Sequence, residues 1–294
     1  MKKVIFIFLC TLFAIPVLSQ DKFIDRFTLR QSFQSKNDKA EPAIFTFTKT
    51  EDKPESWMLN AAIGYDLLKT SNAVLSVDPY FEYHKNTFID KVQDNWQAGV
   101  SSEWQINDLS ESNWSPILIT ALKYNEDVIK EITSFQGNIY FTPLFKGKAK
   151  DIRYFWIPNN LTDFWNLFQF TYSPYVGFEN ENRIRTENDS SKGSIYRLLF
   201  RVTSSITLFP KNESLKDKFE FNIDWQYRND FSENVLDLTE REHLYFTTGF
   251  NYTFFSSTDG KKSAKIGFDY TNGENPAKNF EKQSFCALNL KVKL

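Results

Sequence analysis

The chain is poor in the residues most binding and catalytic chemistry draws on. Two cysteines in 294 residues exclude a disulfide scaffold and a cysteine-rich zinc module. Two histidines leave little material for a histidine-based metal or catalytic cluster. An excess of one charge is also missing. Lys+Arg 35 against Asp+Glu 37 gives a net charge of −2, so the basic footprint of a nucleic-acid binder is absent. There is no Gly-rich phosphate loop, zinc spacing or calcium loop, and no cofactor is expected. Beyond residue 18, no run approaches the roughly 20 apolar residues of a membrane helix.

Aromatic residues are abundant instead: Phe 30, Tyr 13 and Trp 7, at a mean hydropathy of −0.45. A chain this aromatic and yet this polar overall is unusual for a water-soluble globule.

The first residues form an address. Lys2 and Lys3 precede an uncharged run from Val4 to Leu18, and Val17-Leu18-Ser19 suits cleavage after Ser19. Residues 1–19 therefore read as a secretory signal peptide. The run is too short for a membrane anchor and is broken by Pro16. Cys10 lies inside the apolar run, after Ile7-Phe8-Leu9 and without the small residue that lipidation requires. Cleavage leaves Cys286 alone, hence no internal disulfide. It also removes Lys2 and Lys3, leaving 33 basic residues (35 minus 2) against 37 acidic ones. Residues 20–42 are polar and read as a tail, a short helix or a plug.

From residue 43 to 294 the dominant pattern is alternation. Phe219, Phe221, Ile223, Trp225 and Tyr227 oppose Glu220, Asn222, Asp224, Gln226 and Arg228, and similar pairs of faces recur along the chain. Twelve such segments run roughly over 43–49, 56–68, 74–84, 94–105, 115–126, 131–144, 166–180, 193–209, 218–230, 243–256, 262–274 and 283–294. Most exceed the about 5–6 residues of a soluble strand and match the about 9–11 of a bilayer-spanning one. Over 115–126, Ile117, Leu118, Ile119 and Leu122 choose no face. Segments within 21–40 and 145–165 would raise the count to fourteen.

A sheet in lipid must satisfy every backbone group, so it must close. The pattern therefore predicts an all-β fold: a single closed antiparallel transmembrane β-barrel of about twelve strands. Trp57, Trp96, Trp104, Tyr172, Trp225, Tyr227, Tyr252 and Tyr270 are candidates for aromatic girdles. A soluble sandwich or lipocalin-like barrel would have to bury more aromatic bulk than its interior can hold. Placing the C-terminus inside puts long loops at 85–93, 181–192, 231–242 and 275–282 outside. Lys69 to Ala73 and Ser257 to Lys261 become short inner turns, with 145–165 a long exception.

The end of the chain, from Gly267-Phe268-Asp269-Tyr270 through Gly273-Glu274-Asn275-Pro276 to Leu288-Asn289-Leu290-Lys291-Val292-Lys293-Leu294, resembles the last hairpin of bacterial outer-membrane β-barrel proteins. It departs from that class in ending on Leu where Phe is commoner. The resemblance implies a Gram-negative outer membrane, lipid as the surrounding partner, and a barrel-assembly machinery that reads the final strand.

Outer-membrane phospholipases need a Ser and a His two residues apart on one strand. His84 is followed by Lys85-Asn86 and His243 by Leu244-Tyr245, so neither has that pairing, and both read as loop-rim histidines. Glu82 and His84 do share a face, and Glu240-Arg241-Glu242 precede His243. The face opposite the lipid is more informative. It places Arg197, Arg201, Glu220, Asp224, Arg228, Lys265, Asp269 and Lys291 in the lumen. Arg197 and Arg201 are expected beside Glu220 and Asp224, and Asp269 beside Lys291 and Lys293. Small lumen-facing residues (Gly64, Gly99, Ser101, Ser205, Gly249, Gly267) favour a channel for small hydrophilic solutes. The alternative is a non-conducting scaffold whose extracellular loops bind a protein or glycan; a lipid hydrolase ranks third.

Overall fold

The computed structural model describes residues 26–33, 41–48, 55–68, 75–87, 92–147, 150–236, 238, 240–257, 262–278 and 280–293. Residues 1–19, expected from the sequence to be a signal peptide, and most of 20–42 lie outside the described residues. The strands are β1 (Phe27–Arg30), β2 (Ala43–Thr48), β3 (Ser56–Tyr65), β4 (Leu75–Asn86), β5 (Gln93–Gln105), β6 (Trp114–Asp127), β7 (Ile132–Phe145), β8 (Thr162–Phe164), β9 (Phe168–Arg185), β10 (Gly193–Leu208), β11 (Phe219–Glu233), β12 (Glu242–Ser256), β13 (Ser263–Asn275) and β14 (Glu281–Lys293). Three short 3-10 turns are the only helical pieces among the described residues.

Every pairing is antiparallel, and the sheet closes on itself. β14 pairs β2 through Leu290↔Phe45 and Val292↔Ala43, β2 pairs β3, and β3 pairs β4. From β4 the order runs through β5, β6, β7, β9, β10, β11, β12 and β13 back to β14, a ring of twelve strands. Closure leaves no open edge. Each of the twelve alternating segments corresponds to one ring strand. β1 and β8 are the two additions. β2 pairs the first half of β3, through Ile44↔Asn60. β1 pairs the second half, through Phe27↔Tyr65 and Arg30↔Ala62. Together they fill one wall position, broken where the chain leaves the wall after Arg30.

The polarity is the reverse of a water-soluble protein's. Ser115, Lys123 and Asn125 are buried on β6 while their neighbour Leu122 is 73% exposed. Leu288 is 67% exposed between buried Ala287 and Asn289. Among the described residues, buried apolar side chains cluster inside in two patches, Ile117–Ile119–Tyr140–Tyr175–Leu199 and Phe33–Ala62–Tyr80. The first resolves the ambiguity at 115–126: Ile117 and Ile119 point inward, and Leu118 and Leu122 take the opposite parity.

The loops differ from expectation. The upper mouth is defined here by the β13–β14 turn and the lower mouth by the C-terminus. Connections at the upper mouth run from 128–131 to 234–241; at the lower mouth they run from 257–262 to 146–167. The longer connections are thus at the lower mouth. The reason is that strands continue past the clear alternation. β9 reaches Arg185 and β11 reaches Glu233, absorbing residues assigned to outer loops. Near the upper mouth the outward faces of β4, β5, β6, β12 and β13 carry Lys85, Asp94, Glu126, Glu242 and Asn272, while β9 and β11 still expose Ile184 and Phe231. At the lower mouth they stay apolar to the strand ends, as with Leu75, Trp104, Trp114 and Phe254.

Candidate functional site: a filled lumen

Inward-facing side chains fill the barrel in tiers. At the upper mouth, Arg197 on β10 lies between two neighbouring strands. Its Nη1 donates to Glu181 at 2.7 Å and its Nε to Asp230 at 2.8 Å. Glu181 also takes Arg183 at 2.9 Å. His243 bridges Glu274, through Nδ1, and Asp230, 3.4 Å from Nε2. Phe280, from the β13–β14 turn, caps this tier. Its ring stacks on His243 at 4.1 Å, and the Arg197 guanidinium lies 4.5 Å from its centroid. The turn 276–280 reaches across the mouth, where Gln93 on β5 donates to the Ala277 carbonyl at 2.7 Å. Phe280 has φ +60, a left-handed conformation uncommon for a non-glycine residue. Its amide donates to Asn275 O at 3.0 Å, which closes the turn.

At mid-depth, Arg228 holds Glu179 at 3.0 Å, and the Tyr140 hydroxyl donates to the same carboxylate at 2.8 Å. Lys123 donates to Gln97 at 2.8 Å. On the other wall, Glu82 organises the chain where it enters the lumen. One oxygen accepts from the Phe33 amide at 2.7 Å and from Ser32 Oγ at 3.2 Å. The other faces His84 Nε2 at 3.3 Å, while His84 Nδ1 meets Asn60 at 3.1 Å. Phe33 is buried, stacks on Tyr80 at 4.7 Å and lies under Arg30 at 3.5 Å. It occupies the space Gly64 leaves, since a Cβ added there would sit 2.1 Å from its ring.

Lower down, Arg201 binds Asp224 through two parallel bonds of 2.9 and 2.7 Å, the fork geometry that suits guanidinium and carboxylate. Lys291 donates to Asp269 at 2.7 Å, and Lys265 bridges to Glu220. Free space is broken up. A cavity of about 100 Å³ lies between Glu82, His84, Arg201 and Pro276, and one of about 20 Å³ lies beside Arg197, Arg228 and Phe280. A larger space of about 380 Å³ lies at the lower end.

All eight lumen candidates (Arg197, Arg201, Glu220, Asp224, Arg228, Lys265, Asp269, Lys291) face inward, with Glu220 and Lys265 less buried than the others. Arg201–Asp224 and Asp269–Lys291 come together as neighbouring strands suggested. Arg197 does not reach Glu220 or Asp224. The continuous β10–β11 register sets Asp230 opposite Arg197 and Glu220 opposite Thr207, ten residues along β10, and Glu220 spans β12 to Lys265 instead. The histidines are not on a solvent rim: His84 and His243 are buried against carboxylates. Of the small lumen residues, the four glycines leave no free space: Phe33 packs against Gly64, the Leu122 carbonyl and Lys123 against Gly99, Asp269 against Gly249, and Asn251 with Lys291 against Gly267, while Ser205 borders the space at the lower end.

Sequence reasoning missed Glu181, Asp230 and Glu274 as partners because they sit at or beyond the ends of the alternating segments. It missed Phe33 and Phe280 because both come from outside the ring strands. Among the described residues, no group of three or more His, Cys, Asp or Glu side chains is placed to hold a metal ion.

The excursion 146–167 departs from the wall pattern. It holds β8 and a 3-10 turn at Ile152–Tyr154, and it exposes Phe155, Trp156 and Trp165. Asp151 caps the turn. Hydrogen bonds from the Arg153 side chain and amide hold its carboxyl below the usual carboxylate range.

No protein-family model and no curated protein matches the chain. Among solved structures, one described as "Unveiling the Mechanism Behind the in-meso Crystallization of Membrane Proteins" aligns over 86% of this chain and 83% of its own, at 8% identity and a TM-score of 0.41.

Proposed function

We propose that the chain is a bacterial outer-membrane barrel, exported by its N-terminal signal, that does not conduct at rest and serves as a membrane-held scaffold. The observation that carries this reading is the filled lumen. Buried ion pairs cross-link β9, β10 and β11, Phe280 caps one end, and Phe33 packs into the opposite wall. Small barrels fill their interiors with side chains, and this twelve-stranded one follows them rather than the wide porins.

The reversed polarity supports lipid as the surrounding solvent. Every strand is paired, and the outward face is apolar. Outward polar residues stand beside exposed Ile184, Phe231 and Leu236 at the upper mouth, a mixed surface on which the β9–β10 and β11–β12 connections meet a protein or glycan. Passage of small solutes is the second reading. It requires the 276–280 turn to leave the mouth and the ion pairs to rearrange.

Planar-bilayer recording of the refolded chain, with folding shown by a heat-dependent gel shift, tests the proposal. The expected result is a heat-shifted species without discrete conductance steps. Reproducible steps from wild type would overturn the scaffold reading. Altered ion selectivity in Arg197→Ala or Glu220→Ala would then assign the conduction path to these residues.

A further inference from the structure

The β7–β9 ladder stops short of the lower mouth. It ends at Phe141↔Val176, although β7 runs on to Phe145 and β9 starts at Phe168. The excursion 146–167 bridges the fork. Asn159 donates its amide to the Tyr172 carbonyl and its Nδ2 to the Pro143 carbonyl, each at 2.7 Å, so one residue joins the two strands. β8 extends the sheet beside β9, with Phe164 stacked on Phe168 at 4.8 Å. The Tyr172 hydroxyl donates to the Trp156 carbonyl at 2.5 Å. Phe168 and Tyr172 have the opposite parity to buried Thr171 and Ser173, so the excursion builds onto the outward side of the wall.

This surface is aromatic and basic at once. Trp165 is 79% exposed, and Phe155, Trp156 and Leu167 are exposed with it. The Phe209 amide donates to the Leu167 carbonyl at 2.8 Å, which ties the β10–β11 connection, 209–218, to the excursion. The excursion carries four basic residues against two acidic ones, and 209–218 carries three against two. Together they hold +3 in a chain that totals −2. Lys146, Lys148 and Lys150 alternate at the start of the excursion, Lys148 lying outside the described residues. Among the described residues, Lys150, Lys211 and Lys216 are exposed and join no ion pair, whereas Arg153 is held by Asp151 at 2.7 Å.

We infer that the excursion and the 209–218 connection form a docking surface for the headgroups of anionic phospholipid around the lower mouth. The outward wall stays apolar to the strand ends here, so these residues lie where the apolar belt gives way to water. Aromatic rings settle at that level, against the boundary between headgroup and acyl chain. A lysine stem can lie along such a surface while its ammonium reaches a phosphate. Each lysine near an anionic bilayer adds attraction that a zwitterionic one does not give. A second copy would bring the same +3 to the contact and be repelled. The inference rests on the outward face meeting lipid, and it names the lipid that one end selects.

The test uses the chain folded in a zwitterionic detergent, with the barrel checked by its heat-dependent gel shift. It is titrated with dioleoylphosphatidylglycerol or dioleoylphosphatidylcholine while native mass spectrometry counts the bound lipids. Phosphatidylglycerol is expected to bind about tenfold more tightly than phosphatidylcholine. Lys150→Gln/Lys211→Gln/Lys216→Gln should lower that preference to about twofold or less. Trp156→Ser/Trp165→Ser should weaken the binding of both lipids. Lys130→Gln/Lys192→Gln/Lys282→Gln removes the same charge at the upper mouth and should leave the preference as in wild type. The inference is overturned by equal binding of the two lipids, or by a preference that survives the lower-mouth lysine variant. It is equally overturned by a preference that falls as far in the upper-mouth variant. A dimer that disappears in Trp156→Ser/Trp165→Ser would give the surface to a second copy and overturn it too. The gel shift reports on the barrel and the lipid count on this surface, so the two readings fail separately.

Discussion

At the scale of the residue, the lumen shows how alternation assigns a face but not a partner. The period of two sent Arg228 and Glu179 inward, and both are there. Nothing local linked them, because they lie on strands separated by β10 and are brought together by the curvature of the wall. In this pair the opposite charge offsets most of each group's desolvation, with Tyr140 and Gln226 adding one hydrogen bond each, so losing one partner costs more than losing both. Arg228→Ala is expected to destabilise the folded barrel by about 3–5 kcal/mol. Arg228→Met with Glu179→Leu should cost much less. Urea unfolding in detergent measures both, and equal losses would show that the pair is not the unit. The glycines teach a related lesson. Gly64 and Gly99 read as room for water in a one-dimensional pattern, yet Phe33 and Lys123 fill them.

At the scale of the element, the β13–β14 turn has the largest consequence. Its sequence, Asn275-Pro276-Ala277, reads as an outer loop, and connectivity places it at the upper mouth. That it folds inward depends on Arg197, Arg228 and His243 offering a surface for Phe280, and on Gln93 reaching Ala277. Aromatic stacking and cation–π contacts of this kind contribute on the order of 1–2 kcal/mol. Phe280→Ala should therefore raise amide hydrogen exchange across Asn275–Glu281 about tenfold, leaving β13 and β14 protected. Exchange unchanged from wild type would mean that the ring does not hold the turn. The opposite end carries the excursion 146–167. The sequence flagged it as an exception, and it proves to hold β8, paired to β9 through Thr162↔Phe170. A further strand within 145–165 was one of the alternatives the sequence left open; three residues are too few alternations for the pattern to place it.

At the scale of the whole molecule, the apolar exterior makes a claim that a single substitution can test. Leu122 lies near the middle of β6, largely exposed and opposite in parity to buried Lys123. In water, an exposed Leu→Arg change is worth within about 0.5 kcal/mol. At the centre of a bilayer it costs about 2–4 kcal/mol. Leu122→Arg is expected to lower the folding free energy into phospholipid vesicles by the larger amount, and a value near zero would place this face in water.

Twelve ring strands were legible from residues 43–294 because their cause is local. Successive side chains of a strand point to opposite faces, so a wall between apolar and polar surroundings writes itself into the chain at period two. Aromatic abundance with few cysteines and no long apolar run pointed the same way, and the inward parity of Arg197, Arg201, Asp224 and Lys291 followed from it. The sequence by itself thus marked out the strands, a ring of about twelve with fourteen as the alternative, and the sign of the faces outside 115–126. Only the tertiary structure decided what fills the ring. The register between neighbouring strands, the turn that carries Phe280 inward, the break between β1 and β2 that admits Phe33, and ion pairs reaching across an intervening strand all depend on distances set by closure. Closure brings residues far apart in sequence to within a few ångströms, and no periodicity along the chain records which ones will meet.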